Sequence, residues 1–390
     1  MTGSSTIKNV TILGSTGSIG IQTLQVIEKS NGIFNILYLT TNQNIDILAK
    51  QINKFKPKGV VISDYKSYLL FKKKYNFDIE ILYGSEGLTE VASKSENDIV
   101  VSALVGFSGV APTIAALNAG KNVALANKET LVSAGEHISN LAKERNAKII
   151  AIDSEHNAII QCLLGEELSK VEKIILTASG GPFLHSAHDT FEYVNVDEAL
   201  AHPRWSMGKK ISIDSATLMN KGFEVIEAHW LFNLKPEQIE VVIHPESIIH
   251  SLVQFVDGSI KAQLGPQDMR IPISFALNFP ERLYYDFPRL DLLQVGSLNF
   301  QKPDTNKFPC LQLAYEALEM GGTAPAILNA ANETAVQSFL EGKISFAKIP
   351  VCISYSLEKV EHMKKPTIED IFETDKITRE ITLSFINKLN

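Results

Sequence analysis

A chain of 390 residues, 45% apolar and 21% charged, is long enough for two or three globular domains. Its net charge of −7 and pI near 5.8 argue against nucleic acid or an anionic membrane surface as the main partner. Three cysteines, Cys162, Cys310 and Cys352, stand far apart and in no motif, which excludes a cysteine zinc site and fits a reducing, cytoplasmic compartment.

The first nine residues carry one lysine and no apolar run, so no secretory signal is legible. Residues 9–13 read as a strand, and Gly14-Ser15-Thr16-Gly17-Ser18-Ile19-Gly20 follows at once. Residues 21–30 then have helical spacing, with Leu24 and Ile27 on one face. Strand, glycine turn and helix is the order of a dinucleotide site, where N–H groups and the helix dipole meet a pyrophosphate. The spacing is G-x-x-G-x-x-G, and a plain tight turn accounts for the same letters. The second strand, 34–39, ends in Thr40-Thr41-Asn42-Gln43-Asn44. An NAD enzyme places an acid there to hold the ribose hydroxyls. None appears before Asp46, which points to NADP.

Residues 60–62, 99–101 and 123–125 repeat the rhythm, and alternating strands and helices predict a parallel sheet. The uncharged span between Asp98 and Lys121 is broken by Gly106, Ser108, Gly109 and Pro112, and reads as strand, loop and helix rather than a membrane span. Asn127, Lys128 and Glu129 lie just past a strand end, at the ligand edge of such sheets or in a solvated turn.

Residues 149–152 are apolar and end in Asp153-Ser154-Glu155. In an extended backbone, residues i and i+2 project to one side, so both carboxylates point the same way. Two like charges so close imply a trapped proton or a bound cation. A helix cap at Asp153 or Ser154 is the competing reading.

Further on, Ser179 before Gly180 and Gly181 offers a hydroxyl and backbone donors to an anion, or merely a turn. His202-Pro203-Arg204-Trp205-Ser206-Met207-Gly208-Lys209-Lys210 sets a tryptophan among polar and basic residues. It reads either as a lid near 202–210 that stacks Trp205 on a ligand, or as packing of that ring on a neighbouring surface. Residues 211–224 concentrate Ser215, Asn220, Lys221 and Glu224. Phe223, Ile226, Trp230 and Leu231 have helical spacing, which puts Glu224 in a first turn where the dipole alone would favour it. Glu227 shares that face and rivals it for a metal role.

Together Asp153, Glu155 and Glu224 would make an all-oxygen cage for a hard ion, Mg²⁺ or Mn²⁺. Ser179, Ser215, Asn220 and Lys221 suit a phosphate. Residues 293–310 read as a polar linker, and 311–320, 324–339, 353–363 and 375–389 as helices. Thr367-x-x-Asp370 approximates a capping box before a short helix. The fold class is α/β: a Rossmann-like parallel sheet over 1–150, a central α+β catalytic domain over 151–292, and a C-terminal helical bundle over 311–390.

The ordered motifs closely resemble 1-deoxy-D-xylulose 5-phosphate reductoisomerase. They are Gly14 to Gly20, Ala126-Asn127-Lys128-Glu129, Asp153-Ser154-Glu155-His156-Asn157-Ala158, Ser179-Gly180-Gly181-Pro182-Phe183 and the His202 to Gly208 stretch. Asp214-Ser215-Ala216-Thr217, Met219-Asn220-Lys221-Gly222 with Glu224, His244-Pro245-Glu246-Ser247-Ile248-Ile249-His250 and Asn329-Ala330-Ala331-Asn332-Glu333 continue the match. The resemblance implies NADPH- and metal-dependent conversion of a ketose phosphate to 2-C-methyl-D-erythritol 4-phosphate in the non-mevalonate isoprenoid route, by a homodimer. It implies that Thr16, Gly17, Ser18 and Ile19 hold NADPH, with Asn42, Gln43 and Asn44 at the adenosine end and Asn127, Glu129 and Gly208 completing the site. Asp153, Glu155 and Glu224 are implied metal ligands. Lys128, Ser154, Glu155, Ser179, His202, Trp205, Ser215, Asn220, Lys221 and Glu224 are implied substrate contacts, with Glu155 or Lys128 assisting proton transfer. One departure stands out: the family often has a Gly and a basic residue where this chain has Asn42 and Gln43.

Two other readings compete. A semialdehyde-type dehydrogenase shares the glycine turn but needs a cysteine nucleophile beside a base. Cys162 falls inside an expected helix and lacks that setting. An NADP-sensing regulator without chemistry would have no use for the three acids and the lysine.

Overall fold

Short runs of Val, Ile and Leu, bounded by Gly, Asn and Ser, are the strands of the molecule. The computed structural model describes residues 7–203, 205 and 207–389. β1 (Lys8–Leu13), β2 (Phe34–Thr41), β3 (Gly59–Ile62), β4 (Glu80–Tyr83), β5 (Ile99–Ser102), β6 (Asn122–Leu125) and β7 (Ile149–Ala151) form one sheet, ordered β4-β3-β2-β1-β5-β6-β7. Every pairing in it is parallel, with Val10 opposite both Ile36 and Ile99. β3 and β5 are buried along their whole length, as strands covered by helices on both faces must be. The chain order reverses between β1 and β5, so the turn after β1 opens at the switch point where such sheets take ligands. The expected parallel sheet is present, and β4 is a strand the sequence reading did not mark.

Residues up to 130, 137–157 and 268–288 make one compact unit. The last segment is distant in sequence, yet Ile273, Ala276, Leu277, Tyr285 and Phe287 join Val10, Ile12 and Val101 in one buried cluster. Each such aliphatic side chain contributes about 1.5–3 kcal/mol by leaving water.

Residues 131–136, 158–267 and 289 onward make the second unit. Its sheet contains β8 (Val171–Ala178), β9 (Ile239–Ile243), β10 (Ile249–Phe255) and β11 (Ile260–Leu264), ordered β11-β10-β8-β9. β8 and β9 run parallel, while β10 is antiparallel to both β8 and β11. Helix Met219–Phe232 packs on helix Pro309–Met320 so closely that a Cβ on Gly222 would sit 2.5 Å from the Ala314 methyl. The 293–310 stretch carries a short helix, Leu292–Val295, and a bridge from Gln301 to Ile243.

The C-terminal helices are Pro309–Met320, Ala324–Leu340, Lys348–Lys359 and Ile368–Leu389. The capping box is real: Thr367 N–H donates to Asp370 Oδ2 at 2.8 Å and Asp370 N–H to Thr367 Oγ1 at 3.1 Å. The expected short helix and final helix are one element of 22 residues. No Gly or Pro interrupts 368–389, and buried Ile371, Thr374, Asp375 and Thr378 carry one helical face straight through the expected gap. Among the described residues no helix is long and apolar enough to cross a membrane.

Candidate active site

The glycine turn is built by steric necessity. Gly14 has φ +85°, and a Cβ there would lie 2.5 Å from the Ala103 carbonyl oxygen. At Gly20 a Cβ would lie 2.3 Å from the Gly14 carbonyl oxygen, so helix Ser18–Glu28 rests on the turn only because position 20 has no side chain. The end of β2 ties the turn down. Gly14 N–H donates to Thr40 Oγ1 at 2.7 Å, and Thr16 Oγ1 and Thr41 Oγ1 share a 2.7 Å hydrogen bond. Gly17 leaves the helix without a side-chain cap, which suits an anion taking that place. Gly17 and Ser18 are exposed, Ile19 is half-buried and Thr16 is buried.

Asn42, Gln43 and Asn44 are exposed beside it, with Asn44 N–H donating to Thr41 Oγ1 at 3.2 Å. Asp64, after β3, is the N-cap of helix Tyr65–Lys74. Asp64 accepts from Ser67 N–H and from Gln43, contacts that hold its carboxyl below the usual range.

Asn127 braces the corner after β6. Its Nδ2 donates to the carbonyls of Leu104 and Gly106, each at 3.0 Å, and to Glu129 Oε2 at 2.9 Å. Its Oδ1 accepts from the Thr130 hydroxyl. Lys128 next door is buried and its Nζ lies 2.6 Å from Asp153 Oδ1.

The acid pair does not sit on an extended strand. β7 ends at Ala151, and helix Ser154–Cys162 begins with the Asn157 N–H donating to the Asp153 carbonyl at 2.9 Å. Asp153 therefore occupies the cap position and Glu155 the first turn, as the competing reading held. Their carboxylates still approach, each offering an oxygen within 4.8 Å of the other. Burial would raise the Asp153 carboxyl. The Lys128 charge and His156, whose Nδ1 is 3.0 Å from Oδ2, override burial and hold the carboxyl well below the usual range. No trapped proton is needed, because Lys128 offsets the charge. Ser154 Oγ donates to Glu155 Oε2 at 2.6 Å. Sequence reasoning missed His156, although its i+3 spacing from a cap residue was a usable signal.

In the second unit, Glu224 is fully buried in helix Met219–Phe232, in its second turn rather than its first. The dipole explanation therefore loses its force. Asn220 Nδ2 donates to Glu224 Oε1 at 2.6 Å, and Lys221 Nζ donates to Oε2. Asn220 Oδ1 is buried with no hydrogen-bond partner among the described residues, and can accept from a hydroxyl of a ligand. Glu227, one turn on, is equally buried.

Ser179 and His202, 23 residues apart, meet at 3.0 Å through Oγ and Nε2. Trp205 N–H donates to His202 Nδ1 at 2.9 Å, so the neutral ring donates through Nε2 to Ser179. Burial pushes the imidazole from 6.5 down to about 4, consistent with a neutral donor. Gly181 (φ +69°) brings the Ser179 turn onto the Ser215 backbone, where a Cβ would lie 2.8 Å from the Ser215 carbonyl oxygen. The Trp205 ring is half-buried, 6.5 Å from the His250 ring. Gly208 caps helix Lys209–Ala216. Arg204 and Ser206, inside the expected lid, lie outside the described residues.

The comparisons with known proteins add to this geometry. Residues 10–135 match the family described as 1-deoxy-D-xylulose 5-phosphate reductoisomerase, and 149–232 and 264–381 match two C-terminal domains of that enzyme. A reductoisomerase of Chloroherpeton thalassium is 51% identical over 379 residues, spanning 96% of this chain and 97% of its own. The chain belongs to the 1-deoxy-D-xylulose 5-phosphate reductoisomerase family. A second reductoisomerase, from Pelotomaculum thermopropionicum, is 50% identical over 98% of this chain and all of its own. A crystal structure described as this reductoisomerase in complex with NADPH, fosmidomycin and magnesium superposes with a TM-score of 0.94 at 43% identity, covering 98% of this chain and 99% of that one. Membership of a reductoisomerase family leaves the cysteines without a catalytic part. All three are buried, and burial pushes the thiols of Cys162, Cys310 and Cys352 up to about 11, 12 and 11. A thiol so hard to ionise does not serve a cysteine-dependent dehydrogenase.

Proposed function

We infer that this chain converts 1-deoxy-D-xylulose 5-phosphate to 2-C-methyl-D-erythritol 4-phosphate, using NADPH and a divalent metal, in the non-mevalonate route to isoprenoid precursors. The observation that carries the reading is the conjunction, in a member of this family, of a sterically obligate glycine turn with Asp153, paired to Lys128, beside Glu155.

The metal ligands in this proposal are Asp153, Glu155 and Glu224, with Mg²⁺ or Mn²⁺ as the ion. Their donors are all carboxylate oxygens, the set that hard cations select. A bound metal supplies Lewis acidity and a template for the ketose oxygens. NADPH supplies the hydride. It lies on Thr16, Gly17, Ser18 and Ile19, with Asn42, Gln43 and Asn44 toward the adenosine, and Asn127, Glu129 and Gly208 completing the site.

Ser179, His202, Ser215, Asn220 and Lys221 bind the substrate, the hydroxyls and the ammonium donating to its phosphate, and His202 turns its one N–H from Ser179 to the phosphate as the Ser179 hydroxyl does the same. His202 does so as a neutral donor, since burial keeps it uncharged. Ser154 fixes one Glu155 oxygen. The Lys128 ammonium holds a proton next to the reacting oxygens, and Glu155 is its partner in moving one. Trp205 closes over the ligand and excludes water, which protects an enediolate-like species from side reactions. We place the enzyme in the cytoplasm as a homodimer, in line with its family and its buried free thiols.

The test supplies the ketose phosphate, Mg²⁺ and NADPH and follows the loss of reduced-cofactor absorbance. A folded sample that shows no turnover removes the assignment. Glu224→Gln is expected to lower turnover by about 10³-fold or more, with NADPH affinity, read by cofactor fluorescence, nearly unchanged. Full turnover in that variant would pass the metal role to Glu227.

A further inference from the structure

The C-terminal helices have no part in the chemistry proposed so far. One of them nevertheless reaches a buried polar node in the segment that carries Ser215. Asn332, on helix Ala324–Leu340, is fully buried, and its Nδ2 donates to Asp214 Oδ1 at 2.8 Å. The other oxygen, Asp214 Oδ2, lies 2.8 Å from Lys210 Nζ. Lys210 in turn sits over the Phe223 ring, 4.7 Å from its centroid.

Asp214 and Lys210 share helix Lys209–Ala216, which starts directly after Gly208 and takes in the last two positions, 209 and 210, of the expected lid. Ser215 follows Asp214. The Asp214 carbonyl then accepts from Thr217 Oγ1 at 3.2 Å, and Thr217 Oγ1 accepts from Met219 N–H at 3.3 Å. The corner at Leu218 (φ +60°) hands the chain to the helix bearing Asn220, Lys221 and Glu224.

Stability is a poor explanation for this node. A lysine four residues ahead of an aspartate is the weaker order for a pair on a helix, and a cation in the first turn opposes the dipole. Leu328, Ala331 and Ala335, the neighbours of Asn332 along the helix, are all fully buried and apolar, so Asn332 is a polar side chain on a core-facing helix. Its own Oδ1 has no hydrogen-bond partner among the described residues. A core that accepts an unmatched amide oxygen to retain one amide donor is organised around what that donor holds, because buried ionic groups are commonly no more stabilising than apolar replacements.

We propose that Asn332 is a positioning residue: through Asp214 and Lys210 it fixes helix Lys209–Ala216, and so sets where Ser215 and the end of the lid stand when the substrate phosphate binds. The inference rests on the reading of Ser215 as a phosphate contact.

Asn332→Leu preserves volume and removes the donor, and Lys210→Met keeps the stem over Phe223 and removes the charge. Each is expected to raise KM for the ketose phosphate about 10-fold, the scale of a lost hydrogen bond to a charged group. The kcat should change less than about 3-fold and KM for NADPH, which the helix touches only through Gly208 at its cap, less than about 3-fold, which is the pattern of lost uniform binding of the ketose phosphate. A general loss of packing would move both KM values together with the melting temperature, and that result overturns the proposal. Unchanged KM in Lys210→Met overturns it as well, even if Asn332→Leu fails to fold. Ser215→Ala separates the two levels. If it leaves KM for the ketose phosphate unchanged, the phosphate reading fails. If it raises that KM while the other two variants do not, only the positioning role falls.

Discussion

Lys221–Glu224 and Lys128–Asp153 are the same chemical pair made in two ways. The first lies within one turn of one helix, and Asn220 from the same turn completes it. The second joins residues 25 positions apart and depends on β6 and β7 lying side by side. Both carboxylates are shielded from water, so neither pair is a surface ornament worth a few tenths of a kcal/mol. The contrast lies in what each pair needs. A local pair exists as soon as its helix does, whereas a distant pair exists only when the sheet is complete, and so it reports on the whole fold.

That contrast orders the expected effects of breaking such links. Lys128→Met strands the shielded Asp153 carboxylate and should lower unfolding stability at neutral pH by about 3 kcal/mol. It should also change the acid response. Asp153 is held below the usual carboxylate range, so its contribution is complete above that range and is lost as pH falls through the lowered value. Without Lys128 the carboxyl is lowered less, so the contribution is smaller and its loss is complete at a higher pH. Denaturant titrations from pH 7 to acid check both points, and an unchanged acid limb would show His156 alone carrying the charge.

The Ser179–His202 link, also distant, ranks second. The imidazole is pushed from 6.5 to about 4, so the folded chain resists a proton the unfolded chain accepts. Stability tied to the neutral ring is whole above about 6.5 and declines as pH falls toward 4. With partial exposure discounted, the decline amounts to roughly 1–2 kcal/mol. His202→Gln should flatten that segment of a stability–pH curve; a curve with the same slope breaks the assignment.

Thr367→Ala removes a purely local cap from helix Ile368–Leu389 and should cost about 0.5–1 kcal/mol, seen as a small fall in melting temperature. A loss larger than that from Lys128→Met would invert the comparison.

The same division explains what could be read from the letters. The parallel sheet, the glycine turn and the Thr367–Asp370 box are periodic or short-range, and each is present. Asp153 and Glu155 were singled out correctly as a close pair for a partly mistaken reason, since one caps a helix and the other begins it. β4 escaped notice because Glu80-Ile81-Leu82-Tyr83 is only four residues long and half-buried, with no strong alternation. Contacts such as Asn332–Asp214, 118 positions apart, or His202–Ser179 leave no periodic trace, because only folding brings those residues together. The continuous final helix was missed for lack of a breaker to read: the gap expected near residue 373 contains neither glycine nor proline.

The brace at Asn127 bears on attempts to redesign nucleotide preference. Its amide serves three acceptors and a hydroxyl of the chain itself, and a Cβ on Gly109 would meet its Oδ1 at 2.2 Å. Altering that asparagine would dismantle the corner before it touched selectivity. Asn42 and Gln43 are exposed, and of the two side chains only that of Gln43 is tied, to Asp64, so on the proposed reading of their adenosine-end role an engineer seeking to exchange a phosphorylated ribose for a plain one has room to work there and none at Asn127.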